Sequence, residues 1–201
     1  MNKPALTSEP LLDPIQHRWS PRSFDSKPVS RSSLRKILEA ARWAASSYNE
    51  QPWSFIVATK DQSADYERAL SCLVEFNQSW AKSAPVLILS LARVVSERSK
   101  KPNAFAWHDV GLATAQMMIQ AESLGLRSHA MAGIVPERIR QEYEVPAEFE
   151  PVAAIALGYP AAPELLPAPL AEKEKAPRER KSLGQIMFGK KFGLASMAVM
   201  D

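Results

Sequence analysis

The sequence predicts an α+β (α/β layered) domain, and three observations carry that prediction. Two apolar runs of strand length, VLILSL at residues 86–91 and PVAAIALG at 151–158, are continuous, as in strands covered on both faces. Leu34, Ile37, Leu38, Ala41 and Ala45 fall at helical spacing, and WHDVGLATAQMMIQAESL at 107–124 is a longer helical stretch. Helices alternate with about four or five strands, which builds a sheet with helices layered on it.

Each element follows from local chemistry. Residues 1–13 read as a mobile leader, and residues 24–29 are extended because Pro28 disfavours helix just before it. Ser30 is a suitable N-cap for the helix that follows. A short strand is expected at 55–59 and a second helix at about 64–75, with Tyr66, Leu70, Leu73 and Val74 inward. Residues 77–85 form a loop or short helix before the 86–91 strand, and the charged, patternless 93–103 stretch is an exposed excursion. The 107–124 helix is apolar almost all round, which predicts a central position, and Gly125 supplies its stop. A strand at 127–134, a short helix at 137–143 begun by Pro136, and the 151–158 strand complete the core. Composition shifts at Ala161: the Pro-, Ala-, Glu- and Lys-rich residues 161–182 suit a surface-running arm. Residues 183–201 regain apolar side chains and read as a C-terminal arm that docks on a partner subunit, so that 14–182 is the main domain.

Composition narrows the function classes. A chain of 201 residues with 46% hydrophobic side chains can bury a full core. Twenty-five basic and 22 acidic groups leave a net charge of +3, too mild to point to nucleic acid. The one cysteine, Cys72, can form neither an intramolecular disulfide nor a Cys-rich metal site, and it lies on an apolar helical face as a core thiol. No signal-peptide core is visible, and no apolar run approaches the ~20 residues that cross a bilayer. The expectation is a cytoplasmic protein without a membrane or nucleic-acid partner.

Two basic clusters could meet on one phosphate. Arg18 and Arg22 flank Ser20 early in the chain, and Arg178, Arg180 and Lys181 lie late. Arginine binds a phosphate monoester bidentately, although solvated surface charge would explain the late cluster equally well. The stretch RWAASSYNEQPWSFIV at 42–57 hands a helix to a strand through a loop rich in hydroxyls and amides. Such a loop could line the edge of a heterocycle, or could merely satisfy its own backbone through Asx- and Ser-turns. There is no Gly-x-Gly-x-x-Gly, no Walker run and no Gly-x-Ser-x-Gly. His17, His108 and His129 are not spaced as metal ligands, so no metal is expected, and His108 and Asp109, as helix neighbours, should point apart.

HRWSPRSFD (17–25), ILEAARWAASSYNEQPWSFIV (37–57), NQSWAKSAPVLILSLA (77–92), WHDVGLATAQMMIQAESLGL (107–126), AMAGI (130–134), ALGYP (156–160) and RERKSL (178–183) occur in this order. Together they resemble the nitroreductase family of FMN-dependent oxidoreductases, over about residues 15–186. The first is a form of that family's Arg-x-Ser-x-Arg/Lys-x-Phe, and Ser-Ser-x-Asn-x-Gln-Pro-Trp is fairly specific. The resemblance implies a nitroreductase-like fold: a central, mostly antiparallel sheet flanked by helices, in a homodimer that exchanges its C-terminal arms and holds FMN at the subunit interface.

It also implies roles. Arg18, Trp19, Ser20 and Arg22 match the segment that holds the FMN phosphate, ribityl chain and pyrimidine end, and Arg178 and Arg180 match the pair that completes the phosphate site. Ser46, Ser47 and Asn49 match the loop that reaches the flavin from the other subunit, and Asn77 matches a position bonding the pyrimidine edge. Ala132 and Gly133 match the segment whose backbone approaches the flavin N5 side, where the lack of a side chain permits close contact. Tyr48 and Trp80 are candidates for contact with the acceptor. Three positions depart from the pattern: Ala45 replaces a common Pro, Trp80 a basic residue of some members, and Ala132 an acidic one. These departures bear on the substrate more than on FMN.

The implied reaction is ping-pong: NADH or NADPH reduces the flavin and leaves, and an electron-poor acceptor such as a nitroaromatic or quinone follows. The cofactor carries the chemistry, so no side chain is expected as a catalytic nucleophile. The alternatives are a flavin enzyme of the same fold with other chemistry, such as reductive dehalogenation or flavin breakdown, and a non-catalytic flavin-binding protein.

Overall fold

A computed structural model describes residues 3–198; the first two positions of the expected leader and the last three of the expected C-terminal arm lie outside the described residues. Seven helices and four strands are present among them: α1 (Asp13–His17), α2 (Arg31–Arg42), β1 (Trp53–Thr59), α3 (Ser63–Ser71), α4 (Glu75–Ala81), β2 (Val86–Arg93), α5 (Ala106–Ser123), β3 (Arg127–Met131), α6 (Pro136–Glu142), β4 (Phe149–Gly158) and α7 (Ala168–Lys175). The sheet runs β1-β2-β4-β3 and every neighbouring pair is antiparallel.

The unbroken apolar runs are explained by helices on both faces of the sheet. Successive side chains of a strand point to opposite faces. Val86, Ile88, Ile155 and Leu157 pack with Ile37 and Ala41 of α2 and with Ala113, Met117 and Ala121 of α5. Leu87, Leu89, Ala154 and Ala156 pack on the other side with Tyr66, Ala69, Ile139 and Leu170. Ser30 caps α2 as expected, its hydroxyl oxygen accepting the Ser33 N–H at 3.1 Å, and Gly125 stops α5 at φ +74°.

Four expectations are corrected. The helix expected to run to residue 75 ends at Ser71. Leu73 leaves it to bridge Ile134, and the Cys72 carbonyl accepts the Val135 N–H. The next helix, α4, then starts at Glu75 and carries Asn77. For the same reason the strand expected to reach residue 134 stops at Met131, because residues 132–134 turn from β4 toward Leu73. Residues 161–182 are not only a surface arm: α7 buries Leu170, Ala171 and Glu174, and Leu166 is buried just before it. The composition misled because the prolines start helical turns there, at Pro163 and within the first turn of α7. Finally, α5 is buried on one face only. Trp107 is 49% exposed and Leu112 is also exposed, so this chain leaves one apolar side of the helix uncovered.

The expected leader is tied down at two points. Ala5 N–H donates to the Gln16 carbonyl, and Lys3 Nζ donates to the Glu174 carbonyl at 2.7 Å. Among the described residues no helix is long and apolar enough to cross a membrane.

Candidate functional site

The two basic clusters meet. Arg18, Trp19, Ser20 and Arg22, just after α1, line one cleft of about 230 Å³ with Lys173, Glu174, Arg178 and Arg180 from α7 and the segment beyond it. Arg178 is held at the rim by the Lys3 and Gln16 carbonyls, to which its Nη1 donates at 2.8 and 2.9 Å. Burial lowers the proton affinity of Arg18, and Arg180 lowers it further; burial, Arg18 and Arg180 do the same to Arg178. Like charges are therefore crowded here, a state that a bound anion would relieve. Within the wall, Arg22 Nε and Trp19 Nε1 are buried without a hydrogen-bond partner. Buried donors of this kind are almost always satisfied, so their presence fits a cleft built to receive acceptor oxygens. An FMN phosphate and ribityl chain supply such oxygens, and the residues present fit that group.

A second group adjoins the first. The Arg22 guanidinium lies 6.0 Å from the Trp80 ring centroid, and Trp80 stacks on His129 at 4.7 Å. His129 Nδ1 donates to the Pro21 carbonyl at 2.9 Å. Trp80 Nε1 donates to Asn77 Oδ1 at 3.3 Å, and Asn77 Nδ2 donates to the Gly133 carbonyl at 3.0 Å. Asn77, Ala132 and Gly133 thus stand together. Trp80 is only 2% exposed, its ring packed among Arg22, His129 and Asn77.

Gly133 is required by this packing. A Cβ there would collide with Asn77 Nδ2 and Val74 Cγ2. Gly133→Ala is expected to cost about 1–3 kcal/mol through overpacking, measured as a lowered urea midpoint; an unchanged midpoint would show that Asn77 can swing away freely.

Ser46, Ser47 and Asn49 do not join the cleft of their own chain. They lie against the start of α5, where the Ser47 N–H donates to Asp109 Oδ2 at 2.9 Å. The loop satisfies part of its own backbone: Asn49 N–H donates to the Ser46 carbonyl, Glu50 N–H to the Ser47 carbonyl, and Gln51 N–H to Ser46 Oγ. Tyr48, Asn49 and Gln51 nevertheless sit in the left-handed region, at φ 52°, 56° and 47°. Each such residue costs roughly 1 kcal/mol, so the loop needs outside ties. Asp109 is one, and Glu50 is another, since its carboxylate accepts Ser96 Oγ–H at 2.8 Å. Tyr48 points outward, 81% exposed beneath the Arg98 guanidinium.

The expectation that His108 and Asp109 point apart is corrected: His108 Nδ1 lies 2.9 Å from Asp109 Oδ1. In the first turn of a helix the imidazole can fold back onto its neighbour's carboxylate while the other oxygen faces the loop. Asp109→Ala should cost about 1 kcal/mol, because it strips the partly buried Ser47 N–H of its acceptor. Asp109→Asn, which keeps an acceptor oxygen, should cost less. Denaturation curves and exchange of the Ser47 amide separate the two.

Sequence reasoning missed Glu174, Asp109 and Lys3. Each acts through main-chain atoms far along the chain, which leaves no local pattern.

Comparison with known proteins places the chain. The nitroreductase family profile matches residues 15–159. A crystal structure described as an oxidoreductase containing FMN superposes with a TM-score of 0.87 at 37% identity, covering 93% of this chain and 95% of that one. An FMN-dependent nitroreductase of Clostridium difficile gives a TM-score of 0.59 at 27% identity, covering 71% of this chain and 83% of that one. An NADH dehydrogenase of Thermus thermophilus is 30% identical over 175 residues, 72% of this chain and 83% of its own. The cleft, the fold and these likenesses agree: the chain belongs to the nitroreductase family.

Proposed function

We propose that the protein is an FMN-dependent NAD(P)H oxidoreductase, acting as a homodimer on electron-poor acceptors such as nitroaromatics or quinones by a ping-pong route. The observation that carries this reading is the meeting of Arg18 and Arg22 with Arg178 and Arg180 in one cleft. Names of relatives that include NADH dehydrogenase and FMN-dependent nitroreductase support the donor and the cofactor.

FMN, when bound, supplies the hydride-accepting and hydride-donating centre. The chain's own residues bind and orient it. Arg18, Arg22, Arg178, Arg180 and Ser20 would hold the phosphate end, and Trp19 lines the same cleft. Asn77 and the Ala132–Gly133 backbone, which pack on each other, would meet the ring edge. Ser46, Ser47 and Asn49 serve the partner's flavin, which accounts for their distance from the cleft of their own chain. Two exposed apolar surfaces support dimerisation. One is the Trp107 and Leu112 side of α5; the other is the C-terminal segment with Ile186, Phe192 and Leu194. In the dimer the segment from residue 183 onward docks on the partner.

The test is an absorption spectrum of the purified protein, before and after NADH or NADPH under anaerobic conditions, with the mass in solution. A yellow dimer bleached by the donor and recoloured by a quinone or nitroarene is expected. A colourless monomer that takes up no added FMN overturns the proposal.

A further inference from the structure

We propose that Glu174 is a positioning residue of the phosphate cleft: its carboxylate fixes the main chain of Arg22 and Ser23 and so sets the pose of the Ser20–Arg22 wall toward a phosphate monoester. The inference rests on the reading of the cleft as an FMN site.

Among the residues that line the cleft, Glu174 is the one carboxylate, facing Lys3, Arg18, Arg22, Lys173, Arg178 and Arg180. It is 3% exposed. Oε1 accepts two successive main-chain N–H groups, from Arg22 at 2.8 Å and from Ser23 at 3.1 Å. Beyond that point the chain is held by other ties. Ser23 Oγ donates to the Ala162 carbonyl, Ala161 N–H to the Ser23 carbonyl, and Asp25 N–H to the Tyr159 carbonyl. Residues 20–22 have Glu174 and the His129 contact at Pro21 instead. Glu174 also closes a ring across the cleft rim. Its carbonyl accepts Lys3 Nζ, and the Lys3 carbonyl accepts Arg178 Nη1. One helix thereby registers the early arginines against the late ones.

Charge alone would argue against a carboxylate here, since it repels the phosphate that the arginines attract. What it supplies is a pair of charge-assisted hydrogen bonds to main-chain donors, about twice as strong as neutral ones, in a buried setting. Geometry and charge therefore pull in opposite directions, and substitutions separate them.

The experiment titrates FMN and riboflavin separately into the full chain freed of flavin, following flavin fluorescence, for the wild type, Glu174→Ala, Glu174→Gln and Glu174→Asp. Riboflavin lacks only the phosphate, so the ratio of the two affinities reports on the phosphate end, whereas a general loss of structure would move both. The wild type is expected to prefer FMN. Glu174→Ala should lose about tenfold of that preference, with riboflavin affinity within about threefold of the wild type. Glu174→Gln keeps an oxygen acceptor and removes the negative charge, so its preference should hold or rise. Glu174→Asp keeps the charge but draws it back by one methylene; it should lose preference as alanine does, and it serves if the alanine variant does not fold. A preference that rises in both the alanine and the glutamine variants would show that Glu174 acts by charge and overturn the proposal. An equal weakening of both flavins by alanine, or an unchanged preference in the aspartate variant, would overturn it as well. A wild type that binds neither flavin defeats the FMN reading itself, which separates that failure from one confined to Glu174.

Discussion

Replacing Arg18 with alanine should weaken FMN binding by about 10- to 150-fold and leave the flavin-free protein no less stable than the wild type. A hydrogen bond to a charged group contributes about 1.5–3 kcal/mol, and 1.4 kcal/mol is a factor of ten. The guanidinium of Arg18 is held in the cleft with its proton affinity lowered by burial and by Arg180, and Arg178 feels the same crowding. Without an anion, removal of Arg18 relieves repulsion; with the anion, it removes a binding group. The two consequences have opposite signs, and few substitutions share that signature. Calorimetric titration of FMN together with thermal denaturation in its absence reads both. Should the flavin-free variant melt well below the wild type, Arg18 is holding the fold, and its assignment to the phosphate fails.

Acidification should remove roughly 3 kcal/mol of stability between neutral pH and pH 4 through one side chain, His129. Its ring is buried against Trp80, with Nδ1 donating to the Pro21 carbonyl. Burial is the main cause that lowers its pKa from 6.5 to about 4, with the positive charge of Arg22 adding to it. The unfolded chain takes up a proton near pH 6.5, and the folded chain does so only near 4. Unfolding therefore binds a proton throughout this window, and stability falls as the pH is lowered through it. The gap, at about 1.4 kcal/mol per pH unit, sets the magnitude. Above pH 7 the ring is neutral in both states and contributes no slope. Urea denaturation at several pH values should show the loss in the wild type and a flatter profile in His129→Gln. Parallel profiles would remove His129 as the source. The same ring packs on Trp80, which bonds Asn77, and holds the Pro21 carbonyl, so flavin affinity should fall over the same pH range.

Much of the layered core was legible because its signals are local. The runs at 86–91 and 151–158 are apolar at every position since helices cover both sheet faces, and Ser30 and Gly125 act within one turn of their own positions. The junctions were not. Whether Leu73 continued a helix or bridged Ile134 depended on a strand end some 60 residues away, and tertiary pairing prevailed over helical spacing. The Pro- and Lys-rich composition of residues 161–182 suits an exposed arm, yet Pro163, Leu166, Leu170, Ala171 and the Glu174 carboxylate seat them on the core. Among the site residues, arginines and serines announced themselves by type, whereas Asp109 and Glu174 could be found only through the N–H groups they accept.

The sequence by itself determined the strands at 86–91 and 151–158, the helices that Ser30 begins and Gly125 stops, that Arg18, Arg22, Arg178 and Arg180 are candidates for one anion, and which family the chain resembles. Only the tertiary structure decided that these arginines converge, that Trp80 is buried, and that Glu174 and Asp109 accept main-chain N–H groups from distant segments. The physical reason is range. Apolar periodicity, capping and turn preference act within a few residues of a position. A buried hydrogen bond or a crowded pair of like charges exists only after the fold has brought distant residues within a few ångströms of each other.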